Sequence, residues 1–410
     1  MSRRKTESAT PVVDRMRALM CCLDLVFFNL ENLMFHAIYS KSGLNRSHWL
    51  RIVVLCCMFC GLSLTARAQG QLNMYNWSDY IGDQTIAHFE KETGIKMRYD
   101  NFDSNEIVHA KLVAGKSGYD IVVPSSGWGA LQARGGLLTK IDKSKIPNFK
   151  NLDPAIMERL SKVDPGNQYL IPWFWGYTTV AINVDKVKKA LGDLPLPDDA
   201  WALVFDAKYA SRLRSCGISF LDSGPDIMEA MMVYLGIPIN SNNNADFQRA
   251  WSELQKIRSS VTLFSSSGYI NDLASGSLCV ALGWSSDMNI ARARAVEAKN
   301  GNNIQVLVPT KGAVLFYDTM VIPNDAANVE NAYKFINYRL RPEVAAGDTN
   351  KVQYPSPVSG SEKFIKPEII QNKTIYLSPE DMARMQSPRM YNNDQRRLVT
   401  RSYTNFKTGI

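Results

Sequence analysis

The chain has 410 residues, with 47 Lys and Arg against 39 Asp and Glu and a formal net charge of +8. That length exceeds what one hydrophobic core serves and predicts two lobes or domains. An apolar fraction of 45% and a charged fraction of 21% exclude a largely disordered chain, and no apolar run in the body is long enough for a multi-span membrane protein.

The basic excess belongs mostly to the first 68 residues. Nine Lys/Arg and four Asp/Glu fall there, leaving 38 bases and 35 acids, a net charge of +3, over 69–410. Arg46 and Arg51 precede the apolar stretch from Ile52 to Leu64, which leads into Ala66-Arg-Ala68. A short positive region, an apolar segment and an A-x-A site predict a secretory signal cleaved near Ala68 and a periplasmic location. A membrane anchor is the rival reading, but the segment is short for a span. Phe59 before Cys60 fits a lipoprotein site poorly, and residues 1–44 receive no assignment. Five cysteines precede residue 69, so export leaves Cys216 and Cys279. In an oxidising compartment these two are expected to form a disulfide. Metal binding is the rival reading, weakened because the body has only His88 and His109 and no C-x-x-C or H-x-x-x-H spacing.

The body alternates strands and helices. Leu72–Tyr75 reads as a strand, followed by the polar-aromatic turn Asn76-Trp-Ser-Asp-Tyr80. Asp83 can cap a helix carrying Ile86 and Phe89 and stopped by Gly94. Ile95–Tyr99 is the next strand. Ser104 caps a helix over 105–114, ended by Gly115, and Tyr119–Val123 is a buried strand running into Pro124-Ser-Ser126. This order implies a parallel sheet with crossover helices, whose ligands sit at the carboxyl ends of strands. Segments 171–175 and 179–183 read as a strand pair, and Asp185 begins a helix. Further patterns cover 228–235, 247–257 and 278–284. A turn at 299–303 precedes the strand 304–308, and 320–323 leads to a helix over 330–340, ended by Pro342. Without a linker, two lobes require the chain to cross between them more than once.

Several chemistries are missing. Neither His88 nor His109 lies near a serine turn such as G-x-S-x-G, as Ser-His catalysis needs. There is no phosphate-binding glycine loop. The longest basic knot, Lys186-Val-Lys-Lys189, reads as a solvated helix face and not as a nucleic-acid surface. Paired carboxylates keep a hydrolase or lyase open, since spacing does not exclude Asp79, Asp226, Asp287 or Asp318. What recurs is an aromatic beside an acid in a turn: Trp77-Ser78-Asp79-Tyr80, Trp284-Ser-Ser-Asp287 and Phe316-Tyr-Asp318, with Tyr354 before Pro355. An aromatic face attracts a cation, and a carboxylate accepts charge-assisted bonds from an ammonium. Taken singly, Trp284 reads as core and Asp79 as a helix cap; the repetition points to an organic cation.

The segments Tyr75-Asn-Trp-Ser-Asp-Tyr-Ile81, Phe89-Glu-Lys-Glu-Thr-Gly94, Phe102-Asp-Ser-Asn105, Tyr119-Asp-Ile-Val-Val-Pro124, Ser219-Phe-Leu-Asp222, Tyr269-Ile-Asn-Asp-Leu273 and Gly283-Trp284 resemble the periplasmic polyamine-binding proteins, most nearly the putrescine-binding receptors of polyamine ABC transporters. The resemblance covers essentially all of 70–410. It implies an α/β, two-lobed type II periplasmic binding protein fold that closes by hinge motion on a ligand between its lobes. Lobe one would comprise 69–174 and 308–345; lobe two would comprise 175–307 and most of 346–410. By resemblance the ligand box falls on Trp77, Ser78, Asp79, Tyr80, Ser125, Asp226, Trp284, Asp287, Phe316, Asp318 and Tyr354. Trp77, Trp284 and Tyr354 would sandwich the methylene chain. Asp226, Asp287 and Asp318 would hold the amino groups, with Ser78, Tyr80 and Ser125 in direct or water-mediated contacts. The family disulfide maps onto Cys216 and Cys279. Asp226 stands where the family's putrescine receptors commonly have Glu, and Gly127 where a larger polar residue is often found, which bears on affinity and ligand length. The resemblance implies a monomeric, cofactor-free binding protein that delivers putrescine to a membrane permease. Spermidine, cadaverine and agmatine stay open as ligands. A sensor receptor without transport and a secreted amine-acting enzyme are the alternative functions.

Overall fold

The computed structural model describes residues 70–409; the leader, its apolar stretch and its cleavage site lie outside them. Strands β1 (Gln71–Trp77), β2 (Lys96–Phe102) and β3 (Ile121–Val122) alternate with helices α1 (Thr85–Thr93), α2 (Asn105–Ala114) and α3 (Ser126–Arg134). The three strands form a parallel sheet in the order β2-β1-β3. Gly94 closes α1 at a φ of 70°, a left-handed conformation that only glycine adopts without a Cβ penalty. Ser104 caps α2 by accepting from the Ile107 amide. Asp83 does not cap α1. The cap position is Gln84, Asp83 pairs with Lys351 at 3.0 Å on the surface, and the acceptor at this helix start is the buried Asp348, which takes the Gly82 amide at 2.8 Å and the Thr85 hydroxyl.

The next strand, β4, runs unbroken from Ile171 to Asn183. The pair of strands expected there is a single strand, because Gly176-Tyr-Thr178 between the two segments is buried and none of the three has a positive φ. Helix α4 (Val184–Leu191) follows, with Asn183 as its cap. The chain continues through β5 (Ile218–Phe220), α5 (Gly224–Tyr234), α6 (Asn244–Ile257), β6 (Leu263–Phe264), α7 (Tyr269–Ser275), β7 (Val280–Trp284), α8 (Ser285–Glu297), β8 (Ile304–Leu307) and β9 (Leu315–Met320). The second sheet has the order β6-β5-β7-β4-β8. β9 lies antiparallel to the first half of β4, Tyr177 opposite Leu315, while β7 and β8 flank its second half, with Val180 between Leu282 and Leu307. An antiparallel bridge from Val122 to Val321, beside the end of β9, also ties β3 into the arrangement.

Helices α9 (Val329–Arg339), α10 (Pro342–Val352) and α11 (Asn393–Thr408) complete the fold. Pro342 opens α10 rather than ending α9, as suits a residue without an amide hydrogen at the first helical position. Cys216 and Cys279 are bonded, with Cα atoms 5.5 Å apart, just ahead of the parallel neighbours β5 and β7. Among the described residues no group of three His, Cys, Asp or Glu could hold a metal, and no helix is long and apolar enough to cross a membrane.

Among the described residues one ion pair lies in the core. Arg339, 1% exposed, meets Asp348, 0% exposed, at 2.5 Å. The guanidinium also lies over Trp173 at 4.5 Å and Phe174 at 4.9 Å. Burial pushes the Asp348 carboxyl up and the Arg339 guanidinium down, so neither charge is comfortable without the other. Asp348→Ala strands a buried cation and releases the Gly82–Thr85 turn. Urea unfolding is expected to show about 3–5 kcal/mol of lost stability; a loss under about 1 kcal/mol would mean that the pair is incidental.

Candidate functional site

The carboxyl ends of β1, β3 and β7 and the face of β9 converge on one cleft. β1 delivers Trp77, whose indole Nε1 donates to the Val123 carbonyl at 2.9 Å, and Ser78, whose hydroxyl donates to Asp103 at 3.2 Å. The chain then turns at Asp79, φ 54°, and Tyr80 re-enters the core. Alternation along β9 puts Phe316 and Asp318 on one face. Gly176 on the facing strand leaves room for Phe316, since a Cβ there would lie 2.7 Å from its ring. Asp287 sits in the first turn of α8 and Asp226 in the first turn of α5, where the helix dipole favours a carboxylate. Tyr354 follows α10, and Ser125 is held by Asn105 in a reciprocal pair of 3.0 Å bonds.

Aromatic rings form the walls. Trp77 and Trp284 stand edge-on with centroids 5.6 Å apart, Trp284 and Phe316 6.4 Å, and Tyr80 and Tyr354 4.7 Å. The space between them is small, about 50 Å³.

The acids of this cleft are partnered by neutral donors. Tyr269 and Tyr354 each donate to Asp287 at 2.7 Å. Asp226, half-buried, takes the Thr178 hydroxyl at 3.3 Å, the Trp284 indole at 3.4 Å and the Ser223 hydroxyl. Tyr80 donates to one oxygen of Asp318 at 2.7 Å; the other, Oδ1, is buried with no hydrogen-bond partner among the described residues. Loss of water therefore raises all three acids. Burial pushes Asp318 up to about 7, with the nearby Asp226 and Asp287 charges adding to it. Burial lifts Asp287 to about 6 against the pull of its two tyrosine bonds, and burial also raises Asp226.

Ten of the eleven residues singled out from the sequence line this cleft: Trp77, Ser78, Tyr80, Ser125, Asp226, Trp284, Asp287, Phe316, Asp318 and Tyr354. Asp79 does not. It is exposed and pairs with Arg294 of α8 at 3.0 Å, because the left-handed turn carries its side chain away from the cleft. Asp103, Ser266, Ser267 and Ile270 also line the cleft and escaped the sequence reading. Their signals were faint: Asp103 lies inside a motif read only as a resemblance, and Ser266-Ser267 belong to a serine run ahead of α7. Tyr269 was missed as a support for Asp287, a contact that Gly283 permits by leaving space where a Cβ would meet the Tyr269 ring and Met288.

The bacterial extracellular solute-binding protein family matches residues 84–375. The putrescine-binding periplasmic protein SpuD of Pseudomonas aeruginosa is 44% identical over 338 residues, 82% of this chain and 92% of its own length. The putrescine-binding periplasmic protein PotF of Escherichia coli is 40% identical over 90% of this chain and 100% of its own. Among solved structures, the spermidine/putrescine ABC transporter substrate-binding protein PotD of Streptococcus pneumoniae superposes with a TM-score of 0.67 at 26% identity, covering 83% of this chain and 99% of that one. These relatives match the resemblance carried by the sequence motifs, and the expected periplasmic location agrees with theirs. The chain belongs to the bacterial extracellular solute-binding proteins and has their α/β type II periplasmic fold.

Proposed function

We propose that the protein captures a linear diamine, putrescine first, in the periplasm and delivers it to the permease of an ABC transporter. One observation carries the reading. Among the described residues the cleft is lined by four acids, Asp103, Asp226, Asp287 and Asp318, and by no lysine or arginine. Such a site is short of positive charge, and aromatic walls suit a chain of methylenes with a cation at each end. The names of SpuD and PotF supply the ligand by kinship. In this reading the free oxygen of Asp318 and the carboxylate of Asp287 hold one ammonium, and Asp226 holds the other. Trp77, Trp284 and Tyr354 pack the methylenes, with Ser78, Tyr80 and Ser125 as polar contacts. The protein acts as a monomer without catalysis. Its lobes, 69–174 with 308–345 and 175–307 with the C-terminal part, close on the ligand, and ligand favours the closed state only through tighter binding to it.

A thermal-shift panel of diamines, polyamines and amino acids tests the class. Putrescine at a hundred times its Kd is expected to add about 2.7 kcal/mol; a panel in which no amine shifts the melt would overturn the reading. Incubation with putrescine is expected to return it unchanged, and product formation would favour the secreted amine-acting enzyme instead. Asp318→Asn keeps the shape and the Tyr80 contact but removes the charge. Calorimetry should find putrescine weakened by about 2–4 kcal/mol, roughly 30- to 1,000-fold, and an affinity within about twofold of the parent would remove Asp318 from the site.

Affinity should also depend on pH. An ammonium pairs with ionised carboxylates, so binding must expel the protons that burial leaves on Asp318 and Asp287 below about pH 7 and about 6. Affinity is expected to rise from pH 5 to pH 7 and then level, with protons released on binding at pH 6.5 in buffers of different ionisation heat. The empty protein should respond in the opposite sense. Its folded state binds more protons than the unfolded chain between about pH 4 and 7, so these groups lower stability as pH rises. A pH-independent Kd between 5 and 8 would show that both acids are ionised before ligand arrives.

A further inference from the structure

The cleft does not end at Asp226. A chamber of about 300 Å³ opens behind Ser125, Asp226 and Phe316, three residues that border both spaces. A water takes about 30 Å³ of liquid, so the chamber has room for a substituent of several heavy atoms. Trp128 and Val399 give it apolar wall, and Glu229, Arg389, Tyr391 and Arg396 give it polar groups. Capture of a simple diamine uses none of these.

The chemistry of this chamber differs from that of the aromatic cleft. Arg396 lies 5.1 Å over the Trp128 ring and donates to the Tyr391 carbonyl at 2.9 Å. Arg389 lies 4.8 Å over Tyr391 and donates to the carbonyls of Ile239 and Ser241, both at 2.9 Å. The Nε of each arginine is buried with no hydrogen-bond partner among the described residues, and the Tyr391 hydroxyl lies beside the Glu229 carboxyl. Burial pushes Glu229 up to about 8, with Asp226 adding to it, so at neutral pH it is mostly a neutral acid and itself a donor. Glu106 also borders the chamber; the residue reaches the surface, but loss of water around its carboxyl pushes it up, and the Asp226 charge adds to this. Two guanidiniums with unpaired N–H groups and a neutral acid beside a phenol ask for an acceptor, and they disfavour a further ammonium.

We propose that this chamber receives an acyl arm on the ligand nitrogen at Asp226, so that the site also takes mono-N-acylated diamines. The proposal rests on the diamine reading of the main cleft. The free ammonium stays with Asp318 and Asp287, the amide N–H donates to Asp226, and the amide carbonyl faces Arg396 and Tyr391. Asp226 suits either role, because a carboxyl accepts from an amide as it does from an ammonium.

The test is calorimetry on the protein purified from the periplasm, with putrescine, N-acetyl-1,4-diaminobutane and spermidine as probes. The acetyl compound is expected to bind within about tenfold of putrescine and more tightly than spermidine. Arg396→Gln and Tyr391→Phe should each weaken the acetyl compound about fivefold or more and leave putrescine within about twofold. Tyr391→Phe removes a single oxygen and keeps the test open if Arg396→Gln fails to fold. The proposal falls if putrescine binds while the acetyl compound does not at millimolar concentration, if spermidine binds more tightly than the acetyl compound, or if both variants weaken both ligands alike. If putrescine itself does not bind, the diamine reading fails and takes this proposal with it.

Discussion

Carboxylates withdrawn from water without a cation beside them are the constraint around which this molecule is arranged. A charged group moved into a low-dielectric interior must be compensated or neutralised. Here compensation comes from neutral donors: three tyrosine hydroxyls, a serine, a threonine and an indole. These supply hydrogen bonds to the carboxylates, Asp318 Oδ1 excepted, without neutralising the charge. A lysine in the same place would have filled the site; a phenol leaves it needing one. Burial thus holds these carboxyls above the ordinary carboxylate range instead of locking them as ions.

The fold supplies the geometry for that arrangement. Asp226 and Asp287 start helices whose dipoles partly offset the cost of burial, and Asp318 is set by strand alternation on β9. Since β9 pairs with β4, and β4 also pairs with β7, Asp318 and Asp287 are referred to the same backbone, and Thr178 of β4 reaches Asp226 as well. The buried Arg339–Asp348 pair shows the contrasting solution in the same molecule. There two opposite charges face each other in the core, and the role is structural.

Much of the first sheet was legible in the sequence because its punctuation is local. Gly94 and Ser104 announce the end of one helix and the start of another in the residues themselves. β4 was not legible in the same way. It is buried along nearly its whole length, so it shows no alternation that would separate one long strand from two short ones. Asp83 looked like a cap, but a tertiary contact from Asp348, more than 260 residues away, took that place. In the site, repeated aromatic–acid pairs were visible without any relative, yet they left binding protein and enzyme both open. The resemblance to a family singled out the residues. Tyr269 stood in one of the family-like segments, but its support of Asp287 could not be read, since a tyrosine on an apolar helix face reads as core until Asp287 is seen beside it. Nor could the chamber behind Asp226, which exists only because residues 388–400 return across α5.

The disulfide also bears on where the protein can work. Cys216 and Cys279 join the leading ends of β5 and β7, and the trailing end of β7 carries Trp284 into the cleft. The covalent bond and the aromatic wall are thus opposite ends of one five-residue strand. Oxidation of two thiols, a compartment-dependent event, fixes the base from which Trp284 and then Asp287 are projected. A copy folded in a reducing cytoplasm would have the same sequence and the same acids, but a less firmly held wall. Passage through the membrane is in that sense a maturation step for the site as well as a change of address.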